Sequence, residues 1–251
     1  MIRPEERLAA ALAHLILDPA APPARHIAVG AASPIPAAAC WLVKKLGHDV
    51  RLSLLHRRHG NPFTEGTREL FDLTGQGRID LFFLGGGQID GQANINLIGT
   101  GDWPGRDVRF PGSFGSAFMY MMVPRTILFR EEHSRRVLVQ QVDVISAPGI
   151  SPAGVFRCGT AQALVTGSCV FRFDPARARF ALASRHLGMS AAAIRDHTGF
   201  DYDDDEAPET PAPTDDERPP TRPGKGRNGG HLSRVLRQGL ADLTVGETPP
   251  A

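Results

Sequence analysis

The segment IDLFFLGGG, residues 79–87, joins a nearly continuous apolar run to three consecutive glycines. A short apolar run that is bounded by turn signals predicts a strand with both faces buried. Only a sheet that is covered on both sides can bury both faces of a strand, and helices usually supply that cover. The segment therefore predicts a strand inside the sheet of an α/β domain.

The residues before this strand predict how the sheet is connected. Residues 23–56 follow the order strand, glycine turn, helix and strand, with a proline at the start of the helix. Two strands joined through a helix lie parallel in one sheet. Apolar residues near the N-terminus recur at helical spacing, namely Leu8, Leu12, Leu15 and Ile16. They predict an amphipathic first helix.

The second half of the chain carries equally clear local signals. Residues 163–186 predict two strands on either side of an Asp-Pro turn at Asp174. The stretch SAAAIRDHTGF predicts a short helix that is capped by Ser190 and ends before Gly199. Both predictions fit a mixed sheet with helices.

Composition excludes several classes of function. The formal net charge is +1, so no global field favours nucleic acid or an anionic membrane as a partner. No uncharged apolar run reaches about 18 residues, so we expect no membrane span. The cysteines Cys40, Cys158 and Cys169 are widely spaced, without a Cys or His cluster that would hold a metal. A reduced, cytoplasmic location fits this cysteine usage.

The composition changes abruptly near Asp201. Acidic residues and prolines dominate from there, so too little apolar surface is available to offset the entropy of ordering the chain. We expect one domain over residues 1–202 and an acidic, proline-rich, largely disordered tail over 203–251. Within that tail, residues 231–243 have the pattern of a short amphipathic helix.

Two glycine-rich segments are candidates for a ligand site. GGGQIDGQANIN, residues 85–96, begins where a strand is predicted to end, and consecutive amides there can face an anion or an oxyanion. A tight turn that serves only the fold explains the same glycines equally well. RFPGSFGSAF, residues 109–118, is a second flexible, donor-rich segment. Two such segments within about 25 residues favour a shared pocket.

Four blocks, in this order, resemble the β subunit of class I CoA-transferases, with the glutaconate CoA-transferase branch most similar: GGGQIDGQANIN, RFPGSFGSA, EEHSRRVLVQQVDVISAPG and FRFDPARARFALASRHLGMSAAAIRDHTGFD. The resemblance covers about residues 25–205. It implies an open three-layer α/β/α fold of the NagB/RpiA/CoA-transferase-like type. It also implies an α subunit of the same family as partner, in a heterodimer or heterotetramer. An acyl-CoA thioester would be the substrate, with no permanently bound cofactor.

The resemblance further implies roles for individual residues. Residues of both loops would line the acyl-CoA pocket and offer amides to an oxyanion, namely Gly85, Gly86, Gly87, Gln88, Gly112, Ser113 and Gly115. Asp90, Asn94 and Asn96 would brace the first loop. Asp143, in the stretch VDVIS, is expected to accept structural hydrogen bonds near a strand end.

The family's usual catalytic residue is missing. Family transferases carry a β-subunit glutamate at the end of the strand after the first crossover helix, where it attacks the thioester. Here that strand ends near His56, and the next glutamate is Glu65. Three alternatives follow: Glu65 as a nucleophile from a shifted loop, His56 or His59 as a general base, or chemistry carried by the α subunit. Two family glycines are also replaced, by Ala93 and Phe114.

Three functions remain open from the sequence. The first is CoA transfer between carboxylic acids. The second is hydrolysis of a CoA thioester, because the actinobacterial hydrolases that open the last steroid ring also lack the β-subunit glutamate and carry it on the other subunit. That branch has an arginine where this chain has Pro111. The third is a partner subunit that binds acyl-CoA without catalysis. A free-standing sugar-phosphate isomerase fits the GQID and VDVISAPG blocks less well.

Overall fold

The computed structural model describes residues 2–30, 33–55, 63–65, 67–102, 104–204 and 206–217. Contacts between Cα atoms divide the chain into two compact units. Unit 1 holds the described residues of 1–69 and 212–251, and unit 2 comprises Leu70–Pro211. The predicted helix at 231–243 lies outside the described residues. The predicted domain boundary after residue 202 stays a prediction.

Unit 1 contains a parallel strand pair with a helical connection. Its elements are α1 (Pro4–Ile16), β1 (His26–Val29), α2 (Pro34–Lys45) and β2 (Arg51–Leu54). Strands β1 and β2 pair in parallel, with His26 opposite Arg51. The predicted order of strand, helix and parallel strand is therefore confirmed.

Helix α1 forms where the apolar spacing predicts it. It begins at Pro4, whose missing N–H donor is no loss in the first turn of a helix. The Glu6 carboxylate accepts a hydrogen bond from Arg3 N at 3.1 Å, which satisfies a donor at the helix start. The predicted apolar face, Leu8, Leu12, Leu15 and Ile16, is buried. This face packs in unit 1, where α1 contacts α2.

Unit 2 contains the longer strands. Its elements, together with the helix that precedes them along the chain, are α3 (Thr67–Gly75), β3 (Leu81–Leu84), β4 (Gln88–Ile89), β5 (Ile95–Asn96), β6 (Gly99–Thr100), β7 (Val108–Arg109), α4 (Ser116–Met122), β8 (Arg125–Arg130), β9 (Thr160–Thr166), β10 (Cys169–Asp174), β11 (Arg179–Arg185) and α5 (Ala191–His197). Five of the strands lie in the order β11-β10-β9-β8-β3. The pairs β3–β8 and β8–β9 are parallel, whereas β9–β10 and β10–β11 are antiparallel. The short pairs β4–β5 and β6–β7 form separate antiparallel ladders.

The local predictions for unit 2 are confirmed. Every residue of β3 is buried, as its apolar run requires. Strands β10 and β11 flank the Asp174 turn, where Asp174 Oδ1 accepts a hydrogen bond from Ala176 N at 2.9 Å. Ser190 Oγ accepts from Ala193 N at 3.1 Å and caps α5, which ends before Gly199. The α/β class is thereby confirmed.

The first residues of the predicted tail pair with β11. Asp203 N donates to Phe180 O at 3.0 Å, and this segment bridges β11 in parallel. The Asp203 carboxylate also accepts from Arg177 and Arg179. Composition missed this segment because a sheet edge offers backbone hydrogen bonds, which stabilise a polar chain without much apolar burial. Asp203 and Glu209 thus bridge β11, and the largely disordered tail over 203–251 stays a prediction.

Candidate functional site

The glycine triplet follows β3 at its carboxyl end, where open α/β sheets bind ligands. The protein's own atoms pack closely against all three glycines. A Cβ atom on Gly85 would lie 2.9 Å from a backbone oxygen of β8, and one on Gly86 would lie 2.7 Å from Gln88 O. On Gly87 it would lie 2.2 Å from the Phe110 ring. Close packing within the protein is therefore enough to explain why all three positions are glycine.

Asp90 organises the turn between β4 and β5. Its side chain is buried, and Oδ1 accepts hydrogen bonds from Gln92 N and Asn94 N, both at 3.0 Å. Oδ2 accepts from Asn94 Nδ2 at 3.1 Å and from Val142 N at 3.4 Å. Asn94 Oδ1 accepts from Gly149 N at 3.0 Å. Asp90 and Asn94 thus tie the turn to the segment that contains Val142 and Gly149.

Gln88, which the resemblance assigns to the acyl-CoA pocket, is buried in a second network. Its Oε1 accepts from Asn96 Nδ2 at 2.7 Å and from Asp143 N at 3.0 Å, while its Nε2 donates to Asp143 Oδ1 at 3.2 Å. Asn96 Oδ1 accepts from Ile98 N at 2.9 Å. Asp143 Oδ2 accepts from Gly101 N at 2.8 Å, so the expected acceptor role of Asp143 is confirmed.

Ala93 stands where the family has a glycine, and its backbone keeps a glycine-like conformation. Its φ is 60° and the residue is fully buried. The Tyr120 hydroxyl donates to Ala93 O at 3.0 Å, and burial raises the pKa of that hydroxyl, which keeps it a donor. A Cβ atom on Gly149 would lie 2.7 Å from Ala93 C. The surroundings therefore hold Ala93 in a conformation that is strained for alanine.

The first loop directs backbone amides toward protein acceptors. Gly87 N, predicted to face an oxyanion, donates to Asn96 O at 2.8 Å. Ile89 N donates to Val137 O at 2.7 Å. Together with the bonds to Asp90 and Asn96, these contacts leave the loop rigid and largely satisfied.

The second loop lies against the first through Phe110. The Phe110 ring occupies the space beside Gly87. Phe110 N donates to Ile98 O at 3.0 Å, and Gly112 N donates to Leu97 O at 2.9 Å. The structure thus brings together the two segments that the sequence assigns to a shared pocket.

The second loop itself is open. A Cβ atom on Gly112 would meet no atom within 4 Å. Ser116 N donates to Ser113 O at 2.8 Å and closes a turn whose central residues are Phe114 and Gly115. Among the described residues, the amides of Ser113, Phe114 and Gly115 have no hydrogen-bond acceptor. Consecutive free amides are an arrangement that can bind an anion or an oxyanion.

Three phenylalanine rings accompany this turn. The ring centroid of Phe71 lies 5.5 Å from that of Phe114 and 5.9 Å from that of Phe118. A Cβ atom on Gly115 would lie 2.2 Å from the Phe71 ring, so only glycine fits there. Phe114 is 77% exposed and has φ 44°. We refer to Phe71, Phe114 and Phe118 as the aromatic cluster.

The two predicted catalytic candidates differ in what the structure describes. His56, like the alternative base His59, lies outside the described residues. Glu65 belongs to unit 1, where its exposed carboxylate lies 3.3 Å from Arg68 Nη1. Nearby, hydrogen bonds from Thr64 hold the pKa of Glu69 below its ordinary value. Within this chain, Glu65 has the exposure and pairing of a surface residue.

A polar cluster around His133 lies outside the predicted site residues. His133 Nδ1 lies 2.8 Å from Thr166 Oγ1, and Nε2 lies 3.0 Å from Thr198 Oγ1. Burial lowers the pKa of His133 and favours its neutral form. Burial also raises the pKa of the nearby Cys169 thiol to about 12, so this cysteine is not a nucleophile at neutral pH.

Sequence reasoning missed the residues that shape both loops, namely Phe71, Phe110, Tyr120 and Arg157. The first three act through their rings or one hydroxyl, and Arg157 donates to backbone carbonyls including Pro148 O at 2.8 Å. Such roles leave no motif. One signal was available, because a phenylalanine at a family glycine position, Phe114, predicts a strained and exposed ring.

Neither a membrane helix nor a metal cluster occurs in the part of the chain that the structure describes. No helix there is long and apolar enough to cross a bilayer. No group of three or more His, Cys, Asp and Glu side chains there is arranged to hold a metal ion.

Comparison with known proteins gives a family. The sequence profile described as coenzyme A transferase matches residues 45–196. A glutaconate CoA-transferase chain from Acidaminococcus fermentans is 33% identical over 138 residues, which are 52% of this chain and 51% of that protein. The IpdB subunit of the cholesterol ring-cleaving hydrolase from Mycobacterium tuberculosis is 32% identical over 142 residues, 53% of this chain and 55% of that protein. The chain spans about half the length of these curated relatives.

Solved structures share the fold. The decarboxylase AibA/AibB superposes with a TM-score of 0.72 and 25% identity, over 86% of this chain and 92% of that one. Glutaconate coenzyme A-transferase from Acidaminococcus fermentans gives 0.73 and 20%, over 97% and 98%. This second likeness concerns the fold alone, and it confirms the predicted α/β fold of CoA-transferase type. Because the family profile covers more than half of its length, this chain belongs to the coenzyme A transferase family.

Proposed function

We propose that this chain is the β-type subunit of a heteromeric CoA-transferase-family enzyme that acts on acyl-CoA thioesters. Its partner would be an α-type subunit of the same family. Family membership supports the substrate class, and the similar proteins of Acidaminococcus and Mycobacterium are each named as one subunit of an enzyme. The proposed reaction is CoA transfer between carboxylic acids, and the chain alone is expected to be inactive.

The observation that carries this proposal is the row of free amides in the second loop. The amides of Ser113, Phe114 and Gly115 have no acceptor among the described residues, and the loop packs through Phe110 against Gly87. A thioester carbonyl develops negative charge on its oxygen when a nucleophile attacks its carbon. Backbone amides that already lack a protein acceptor can stabilise that charge without reorganising the fold.

The proposed transfer proceeds through a carboxylate nucleophile. The carboxylate oxygen attacks the thioester carbon, the carbon–sulfur bond breaks, CoA leaves as a thiolate, and an anhydride between the acyl group and the enzyme carboxylate remains. The thiolate then attacks the carboxyl carbon of the enzyme's own residue, which forms an enzyme–CoA thioester and releases the acyl carboxylate. A second carboxylic acid takes up CoA by the same steps in reverse, and the enzyme carboxylate is restored.

That carboxylate has two candidate locations, and the second is compatible with hydrolysis as well as transfer. Glu65 would supply it from this chain if its loop reached the acyl group in the assembled enzyme. A glutamate of the α-type subunit would supply it otherwise, and could instead direct water at the substrate. The described residues at the end of β2, Leu54 and Leu55, carry no carboxylate, and the similarity to the IpdB hydrolase subunit favours this second candidate.

A third candidate function is acyl-CoA binding without catalysis by this subunit. The same free amides support binding as well as catalysis, and no described residue at the end of β2 is a nucleophile. This candidate predicts a complex that binds acyl-CoA but leaves it unchanged.

The test is reconstitution followed by trapping. The full chain is co-expressed with α-type CoA-transferase subunits from the same genome, and the purified complex is incubated with a panel of acyl-CoA thioesters. Hydroxylamine converts any enzyme–CoA thioester to a stable hydroxamate, which mass mapping assigns to a residue. Glu65→Gln is compared with Glu131→Gln, an exposed glutamate of unit 2 that serves as a matched control.

Each outcome has one meaning. Hydroxamate on Glu65, with activity lost only in Glu65→Gln, identifies a transferase with its nucleophile on this chain. Hydroxamate on the α-type subunit moves the nucleophile there. Consumption of acyl-CoA to free acid and CoA, with no acceptor acid present and no hydroxamate, identifies a hydrolase. A complex that neither consumes nor binds any acyl-CoA contradicts the proposal.

A further inference from the structure

Phe114 combines two features that a protein rarely keeps together. Its φ of 44° lies in the left-handed region, where glycine is favoured and a bulky side chain is strained. Its side chain is nevertheless large, apolar and 77% exposed. Glycine would relieve the strain and remove an exposed ring at once. Strain of this kind persists mostly where the side chain has a function.

The neighbouring residues orient the Phe114 ring. Phe71 lies 5.5 Å away between centroids, and its own ring fills the space next to Gly115. Phe118, the third residue of α4, stands edge-on to Phe71 at 5.9 Å between ring centroids and is 39% exposed. Gly112 borders the turn with open space. The aromatic cluster therefore presents an apolar surface whose position is fixed by the packing of Phe71.

The aromatic cluster adjoins the free amides in the chain itself. Phe114 contributes both a free amide and the most exposed ring, and its neighbours Ser113 and Gly115 contribute the other two amides. A ligand that fits this turn needs a polar oxygen for the amides and an apolar group for the rings. An acyl thioester with a bulky apolar acyl chain has both within a few bonds.

We propose that Phe114 is a specificity-determining residue that selects CoA thioesters with bulky apolar acyl groups over those with small ones. The inference rests on the proposed function and names the substrate class of the same site. The acyl carbonyl oxygen lies at the Ser113–Gly115 amides, and the acyl chain lies against the Phe114 ring. The ring contact is made in the bound substrate and in the transition state alike, so it lowers KM more than it raises kcat.

The experiment measures kcat and KM of the reconstituted complex with phenylacetyl-CoA and acetyl-CoA. Wild type is expected to prefer phenylacetyl-CoA in kcat/KM. Phe114→Gly is expected to reduce that preference by about tenfold, chiefly through KM for phenylacetyl-CoA. Phe114→Leu keeps an apolar side chain and is expected to retain part of the preference. Phe156→Gly removes another exposed loop phenylalanine, 71% exposed, and is expected to change nothing.

Three results would overturn the inference while leaving the proposed function intact. The first is a wild-type complex that turns over both thioesters without preferring phenylacetyl-CoA. The second is an unchanged preference in Phe114→Gly. The third is dissociation of the Phe114→Gly complex, seen by size-exclusion chromatography, because Phe114 would then be a subunit contact. A wild-type complex that consumes and binds no acyl-CoA overturns the proposed function itself, and this inference with it.

Discussion

The two glycine loops contain the same kind of residue for opposite reasons. In the loop at 85–96, the fold leaves no room for a side chain, and buried side chains accept or donate hydrogen bonds throughout. In the loop at 112–115, Gly112 has open space and three successive amides lack an acceptor among the described residues. The first loop therefore resembles the interior of a protein, and the second resembles a binding surface.

This difference indicates that the first loop supports the fold and that the second loop is the one available to contact a ligand. The motif GGGQIDGQANIN attracts attention because of its glycines and amides, yet its polar side chains bond within the loop and to the segment with Val142, Asp143 and Gly149. The second loop packs against it where the Phe110 ring lies beside Gly87. A rigid first loop gives the open second loop a fixed position, which preorganised amides require. Substitutions in the first loop should thus reduce stability, whereas substitutions in the second should alter ligand preference more than stability.

The largest expected effect contrasts Gly86→Ala with Gly112→Ala. A methyl group on Gly86 would lie 2.7 Å from both Gln88 O and Ile95 Cγ2, so the buried loop must move. We expect the free energy of unfolding to fall by about 3 kcal/mol. Gly112→Ala meets no atom, but its φ of 105° is unfavourable for alanine. We expect a loss of about 1 kcal/mol there.

Urea unfolding of the full chain, followed by far-UV circular dichroism, measures both variants of this pair. Equal losses in the two variants would contradict the division into a packed loop and an open one. A larger loss in Gly112→Ala than in Gly86→Ala would reverse it.

The next effect concerns the buried carboxylate of the first loop. Asp90 accepts hydrogen bonds from Gln92 N, Asn94 N, Asn94 Nδ2 and Val142 N. In Asp90→Asn, an NH2 group replaces one acceptor and faces donors, so we expect a loss of about 2 kcal/mol in the free energy of unfolding. The exposed Asp72→Asn is the matched control, with a change within about 0.5 kcal/mol. A fully stable Asp90→Asn would mean that these bonds do not brace the loop.

A smaller effect tests the strain at Phe114. Phe114→Ala and Phe114→Gly both remove the ring, but only glycine relieves the left-handed backbone. We expect Phe114→Gly to be more stable than Phe114→Ala by about 1 kcal/mol, after the larger unfolded-state entropy of glycine offsets part of the gain. Phe118, inside α4, gives the control, because there glycine should be less stable than alanine by about 1 kcal/mol. If glycine were less stable than alanine at position 114 as well as at position 118, strain at Phe114 would be excluded.

Periodic patterns in the sequence predicted the elements well. Apolar runs and periodic spacing identified β3, the β1–α2–β2 order and the apolar face of α1. They did so because a buried strand or helix face requires apolar residues at regular intervals along many residues. Composition did not indicate that Asp203 and Glu209 bridge β11, because this pairing uses the backbone and leaves no apolar signature. Pairing with a sheet edge depends on a strand that is distant in sequence, and the composition of the paired segment carries no information about that strand.

The candidate site was only half predictable. The two loops were identified from their glycines, and Asp143 was expected to be an acceptor. The use of Gln88 inside a network with Asn96 and Asp143 was not foreseen, because a buried amide and a ligand-binding amide look the same in sequence. The aromatic cluster joins α3, the turn and α4, and a three-residue contact of that kind has no spacing to detect.

The smallest expected effect is a change with pH in the free energy of unfolding, caused by the buried side chain of His133. His133 contacts Thr166 and Thr198, and four residues after it Val137 O accepts a hydrogen bond from Ile89 N of the first loop. The ordinary pKa of histidine is 6.5, and burial lowers the pKa of His133 in the folded protein. Between those two values the unfolded chain binds more protons, so the free energy of unfolding falls as pH falls through this window and is unaffected above it.

The measurement is urea unfolding at steps from about pH 7.5 to about pH 5.5. His133→Gln removes the titrating group and should give a flatter profile below pH 6.5 than wild type. The exposed Gln76→Ala removes no titrating group, so it is the control and should keep the wild-type slope. An unchanged slope in His133→Gln would assign the acid sensitivity to other groups. If acid weakened acyl-CoA preference in the complex as well, through a softened first loop, the two loops would be coupled in function as they are through Phe110 in structure.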